Sequence, residues 1–213
     1  MKKILKVVVP AIAIIIAVWF SFYTEPLKEH QERELIKKFS PNQLVDYHWK
    51  NDLDTLLQKA LDYEFFNEGI CKDPQNFSDK YAMVPGLGAK SYFLIHGEIT
   101  VKEVAEDALL FDFCKETTAR ILTKFIFTNT ARDASGWFNA SDFQNTMDYN
   151  TLSTYLNNKI LNEVVRPMDN RVNTGDKLIF WGAIEVSTED YPVKKLDIVP
   201  LRLQLTKSEN VGK

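Results

Sequence analysis

The sequence predicts an α+β protein: an N-terminal transmembrane helix, a short helical region, and then a five-stranded β-barrel with one helix between strands three and four. Three observations carry that prediction. Residues 4–23 are almost continuously apolar, the hydrophobic spacing of residues 41–66 has a helical period, and from Gly88 the period changes to two. The 213 residues therefore divide into an anchor at 1–23, a helical stalk and satellite region at 24–88, and a barrel domain at 89–207.

Only Lys6, Pro10 and Ser21 interrupt the apolar run. Backbone polar groups in hydrocarbon need internal partners, so such a run has to be helical. A bilayer core of about 30 Å takes roughly 20 residues of helix, which this run just reaches. Lys2, Lys3 and Lys6 at its start favour a cytoplasmic N-terminus, and Trp19, Phe22 and Tyr23 suit the far headgroup layer. A cleaved signal peptide competes with this reading. It needs small residues at the end of the run, where this chain has Trp19, Phe20, Phe22 and Tyr23, and no lipid-accepting cysteine lies nearby. A retained single-pass anchor is the reading the flanks favour.

The charge is mixed, with 26 Lys/Arg against 29 Asp/Glu and a formal net of −3. Residues 90–207 carry 14 Lys/Arg and 16 Asp/Glu. Nucleic-acid binders present a basic face, so no nucleic-acid partner is expected. Cys71 and Cys114 are the only cysteines. They are read as two unrelated buried thiols, with pairing open to them in an oxidising compartment.

Along the chain, residues 24–38 are dense in charge. Glu29 with Arg33 and Glu34 with Lys38 sit acid-before-base at four-residue spacing, as on a solvated helix. Ser40-Pro41-Asn42-Gln43 combines a capping serine, proline at the first helical position and glutamine at the third, and opens a short helix. Leu53, Leu56, Leu57, Ala60 and Leu61 then extend a second helix to about Phe66, followed by a loop containing Pro74 and Asn76. Residues 91–104 alternate as a long strand, with Gly97 inviting a bulge or bend. Further strands are expected at 108–114, 120–129, 177–186 and 196–205, with a helix at 150–165 that Pro167 ends.

Three strands, a helix and two more strands is the order of the OB-fold, whose long first strand must curve to serve both sides of the barrel. The glycine inside residues 91–104 suits that role, as does the Gly175-Asp176 turn leading into the strand that holds Trp181-Gly182. The competing arrangement is an unspecified antiparallel sheet with a crossing helix.

The most unusual segment lies between strand three and the helix. It gathers Arg132, Asp133, Asp142, Asn145 and Asp148 around Trp137, Phe138 and Phe143. Read as a binding loop, Arg132 offers a planar fork to an acidic group, with Asp133, Asp142, Asn145 and Trp137 as further ligand contacts. The structural alternative is that Arg132 pairs with a nearby carboxylate while the aromatics plug one end of the barrel. Asp133 and Asp142 as a general acid–base pair is the weakest reading. His30, His48 and His96 lack metal-ligand spacing. No nucleophile elbow or phosphate-cradling glycine loop is present, so no metal or cofactor is expected and the chain is read as a non-enzyme.

The run 127–138 with Asp142-Phe143-Gln144-Asn145, then Leu156-Asn157, residues 175–182 and Ile198-Val199-Pro200-Leu201, resembles a bacterial family of unknown function described as predicted periplasmic lipoproteins. The resemblance implies an envelope location, genes often beside those of sugar-uptake transporters, and no known activity. It makes Arg132, Asp133, Gly136, Phe143, Asn145 and Asn157 candidate residues of unassigned role. The expectation is a protein of the bacterial inner membrane, N-terminus cytoplasmic and C-terminal domain periplasmic, whose non-catalytic barrel binds a partner protein such as a transporter. A small-solute or oligosaccharide module using the 132–145 loop is the alternative.

Overall fold

The computed structural model describes residues 26–83, 90–114, 117–124, 126–187, 191, 193 and 195–206. The predicted transmembrane run at 4–23 lies outside them. Among the described residues no helix is long and apolar enough to cross a membrane.

Helix α1 (Leu27–Lys37) has no buried residue, as its charge density predicts. It lies against α2 (Pro41–Asn51): Tyr47 donates to the Lys28 carbonyl at 3.2 Å, and Lys28 pairs with Asp52. Ser40 precedes α2, but its hydroxyl donates to Asn42 Oδ1 instead of capping a backbone N–H. The single helix expected up to Phe66 is broken into α3 (Leu53–Leu57), a two-residue strand β1 (Leu61–Asp62) and α4 (Tyr63–Lys72). Asp62 explains the restart, because its carboxylate accepts the Phe65 N–H at 3.1 Å and caps a new helix. The expected loop at Pro74 is helix α5 (Pro74–Tyr81), capped by Asp73 on Asn76 N–H with proline in its first turn.

The strands are β2 (Lys90–Thr100), β3 (Glu103–Val104), β4 (Ala108–Phe113), β5 (Thr117–Leu122), β6 (Lys177–Ser187) and β7 (Lys195–Thr206). With β1 they form one sheet of seven strands, order β1-β2-β6-β7-β5-β4-β3, where five were expected. β5 and β7 run parallel, as do β1 and β2; the other neighbours are antiparallel. Among the described residues no hydrogen-bonded ladder joins the two ends of this order, so the sheet is open. It is nevertheless curled. Only two residues separate β2 from β3, a reach of at most about 11 Å, yet the two strands lie near opposite ends of the sheet. Val101 N–H donates to the Asp176 carbonyl on one side, and Lys102 N–H donates to the Leu110 carbonyl on the other. One stretch of chain therefore serves both sides, as the OB arrangement requires.

Two corrections concern the strands. Strand three ends at Leu122 and not Asn129, because the chain then leaves the sheet: Ile126 enters a helix-covered core while Phe127 is 89% exposed. Phe125, expected on the same strand, lies outside the described residues. Gly97 causes no bulge, since β2 and β6 pair without interruption from Lys90–Ser187 to Thr100–Lys177. The irregularity sits instead between β6 and β7, where Trp181 faces Arg202 but Gly182 faces Pro200. A bulge there suits proline, which has no N–H for the ladder.

Gly97 answers to a close approach. A Cβ at this position would lie 2.6 Å from Tyr63 Cβ. That atom cannot rotate away, so relief needs backbone movement. Gly97→Ala is expected to cost about 1–3 kcal/mol, read as a lower denaturation midpoint; an unchanged midpoint would show that α4 shifts freely.

Side chains of the sheet feed two cores. Phe93, Phe111, Phe113, Phe180 and Ile198 fill one, capped by Phe66 of α4. Tyr92, Leu94, Ala183, Val199 and Leu201 point the other way and are covered by Leu44, Leu152, Leu156 and Ile160 from the helices. The alternation in β2 is therefore real, but both faces are buried. Cys71 and Cys114 form a disulfide across 43 residues, Cα–Cα 6.1 Å, tying the end of α4 to the end of β4. This corrects the reading of two separate thiols. Asn67 reinforces the junction by accepting the Cys114 N–H at 3.0 Å.

Candidate functional site

The segment expected to be a loop after strand three begins with a helix, α6 (Thr130–Ser135), every residue of which is buried. Thr128 opens it by accepting the Thr130 N–H at 2.9 Å, and Gly136 closes it with φ 63°, a conformation that favours glycine. Burial of a whole short helix leaves its charges one economical arrangement, mutual pairing. Arg132 Nε donates to Asp133 Oδ1 at 2.7 Å and Nη2 to Oδ2 at 3.1 Å. Its remaining nitrogen donates to the Tyr149 carbonyl and to Asn150 Oδ1, at 3.3 and 3.0 Å. The guanidinium lies 3.8 Å from the Tyr149 ring centroid, and Tyr149 donates to Asp133 Oδ1 at 3.2 Å. Burial raises the Tyr149 phenol above its ordinary pKa, so at neutral pH it serves Asp133 as a donor.

The other predicted ligand contacts do not join this pair around an open space. Trp137 stacks on His48 of α2 with centroids 5.6 Å apart, and Phe138 meets the same ring edge-on. These aromatics seal α6 against α2, where a barrel end was the expected place. Asp142 is exposed in a separate 3₁₀ turn, Ala140–Asp142. Asn145 is the N-cap of α7 (Thr146–Ile160): it accepts the Asp148 N–H at 2.8 Å and donates to the Asp148 carboxylate at 3.0 Å. The helix thus starts four residues before the expected Asn150. Among the described residues no group of three His, Cys, Asp or Glu side chains is set to hold a metal ion.

A cleft of about 660 Å³ opens on the other side of this segment, between α7 and residues 123–129. Asn150, Ser153, Thr154, Asn157, Asn158 and Leu161 line it at three- and four-residue steps, so one face of α7 forms its floor. Ser153 and Asn157 are each 5% exposed, and Ser153 Oγ and Asn157 Oδ1 are buried with no hydrogen-bond partner. Buried polar atoms are nearly always satisfied, so two unpartnered atoms in neighbouring residues of one cavity wall set this stretch of α7 apart from ordinary packing. The orientation of Asn157 is set by its Nδ2, which donates to the Thr128 carbonyl at 2.8 Å. Past Ile160 the helix widens into a π turn (Leu161–Val165), a distortion frequent at functional sites. Leu161 and Val165 of that turn also line the cleft. Asn150 lies in its wall and accepts from Arg132, so the buried pair braces the cleft from behind.

Sequence reading places Asn157 among the resemblance residues without a role, includes Thr128 only as part of the 127–138 run, and does not single out Ser153. The signal available was the polar stripe at positions 150, 153, 154, 157 and 158 on a helix whose opposite face is apolar.

A family model described as predicted periplasmic lipoprotein (DUF2291) matches residues 12–204. The chain belongs to this family. The resemblance read from residues 127–201 is thus established, and membership agrees with a periplasmic, envelope-associated protein. A crystal structure of an OB-fold protein from Thermotoga maritima superposes with a TM-score of 0.69 at 21% identity, covering 78% of this chain and 98% of that one. This likeness supports the curled-sheet assignment as a matter of fold. No curated protein matches the sequence. In this DUF2291 member both cysteines of the 213 residues are spent on the disulfide, so neither thiol is available to carry a lipid.

Proposed function

We propose that the protein is a non-catalytic binding protein of the bacterial envelope. The apolar run at 4–23 holds it in the inner membrane, N-terminus cytoplasmic and domain periplasmic. It recognises a small solute in the cleft between α7 and residues 123–129, and works beside a membrane partner. A sugar-uptake transporter is the partner the family resemblance implies. The single observation that supports the solute reading is that two residues with buried, unpartnered polar atoms, Ser153 and Asn157, line a cavity within the usual 300–1,000 Å³ of ligand sites. The bidentate pairing of Arg132 with Asp133 occupies its guanidinium fork, which favours the cleft over the 132–145 loop as the place of recognition. The tether favours a partner within reach of the membrane surface.

The test fills the cleft from its rim. Thr154 is exposed and lines the cavity, so Thr154→Trp occludes it with little effect on the fold. The full chain in lipid nanodiscs is mixed with a small-solute extract of bacterial periplasm, and saturation-transfer NMR reads which solutes contact it. Wild type is expected to give solute signals that Thr154→Trp loses. Equal signals from both, or none from either, would sink the cleft.

A further inference from the structure

We infer that the ligand of this cleft is a neutral, hydroxyl-rich molecule longer than one sugar ring, in effect a short carbohydrate chain, an assignment that rests on the cleft being the binding site. The floor decides the chemistry. With its amide nitrogen committed to the Thr128 carbonyl, Asn157, which lines the cavity, is left with Oδ1 as a buried acceptor that has no partner among the described residues. It therefore needs a donor. An ionised carboxylate supplies acceptors alone and would leave that oxygen unsatisfied. A hydroxyl group meets both needs at once, donating to Asn157 Oδ1 and accepting from Ser153, which lies one turn away on the same face. Asn129, Asn150, Thr154 and Asn158 add more amides and hydroxyls around the space.

Charge at the edge points the same way. Lys124 and Arg166 are balanced in part by Asp169, so the cleft presents both signs and no single-signed field to select an ion. Phe127, 89% exposed, also borders the cavity. It offers a flat apolar surface of the kind that packs against the C–H face of a sugar ring.

The length follows from a second cavity of about 390 Å³, which shares Thr123, Lys124, Val165 and Asp169 with the first. The two cavities adjoin along these four residues, and the second extends to Val104 and Glu106 at the β3–β4 turn. A single ring occupies only the first lobe, whereas a chain of two or three rings reaches the second.

The test uses the full chain in nanodiscs, since maltoside detergents would themselves compete. Glucose, galactose and xylose with their di- and trisaccharides are compared with inorganic phosphate, citrate and triglycine by saturation-transfer NMR and calorimetry. A neutral trisaccharide is expected to bind about tenfold or more tightly than its monosaccharide. Val104→Trp, which fills only the second lobe, should reduce the trisaccharide to the monosaccharide level and leave the monosaccharide unchanged. Ser153→Ala should weaken both by about fivefold, the usual worth of one neutral hydrogen bond. If phosphate, citrate or triglycine binds in a way that Thr154→Trp abolishes while no neutral sugar does, the carbohydrate assignment is wrong and the cleft stands. Mono- and trisaccharides of equal affinity would overturn the elongated groove. If no probe binds, or Thr154→Trp changes nothing, the cleft reading falls with it.

Discussion

Replacing Arg132 by alanine is expected to lower the stability of the folded domain by about 3–5 kcal/mol, among the largest effects of any single substitution in this chain. The reason is what remains behind. Asp133 is buried and loses both of its guanidinium bonds, while Tyr149 and Asn150 lose a shared donor and a stacked cation. A carboxylate stranded in that environment is costly, and the helix carrying it has no exposed face to turn outward. Removing both charges in Arg132→Met/Asp133→Asn should recover part of the loss, because no ion is then left unpaired. Urea denaturation followed by tryptophan fluorescence measures both variants. A loss below about 1 kcal/mol for the single variant, the level of an exposed pair, would show that water reaches this site. Because Asn150 joins the pair to the cleft wall, Arg132→Ala should also weaken solute binding without Arg132 touching the solute.

The second large effect concerns Cys71 and Cys114. Closing a loop of 43 residues restricts the unfolded chain, and removal of the bond as Cys71→Ser/Cys114→Ser is expected to cost about 4 kcal/mol. The same loss should follow a reducing agent acting on the wild type, and the double variant should then be indifferent to that agent. If reductant destabilises the double variant equally, its action lies elsewhere. Such a bond persists in an oxidising compartment, which agrees with membership of a periplasmic family. A chain expressed with a reducing cytoplasm as its destination should therefore be the less stable form.

The strand positions were legible because they depend on alternation over short stretches. β2, β4, β6 and β7 lie within a few residues of their expected bounds. What was misread involves local rules in competition. Arg120 to Asn129 keeps a period of two after Leu122, yet the chain turns away there so that Ile126 can enter the core under the helices. Asp62 and Asp73 cap new helices, but apolar spacing that continues across Asp62 predicts one unbroken helix, and Pro74 begins a helix where a loop is expected.

The candidate site shows the same division more sharply. Arg132, Asp133 and Asn145 stood out by residue type, and the structure gives each a partner close in sequence: Arg132 with Asp133, and Asn145 with Asp148. Trp137 reaches further, to His48 across the fold. Ser153 and Asn157 did not stand out, since a serine and an asparagine on a helix are ordinary until their surroundings are known. Their lack of partners is a property of the space between α7 and residues 123–129.

By itself, the sequence determined the apolar run, the change of hydrophobic period, the alternating strands in OB order and the motifs that place the chain in its family. Each depends on residues near one another along the chain, where steric and hydrophobic periodicity are read directly. Tertiary structure alone decided the curl of a seven-stranded sheet, the pairing of Cys71 with Cys114, the burial of Arg132 and the cleft. Those depend on which surfaces meet after folding, and burial is what turns an ordinary polar side chain into one that needs a partner.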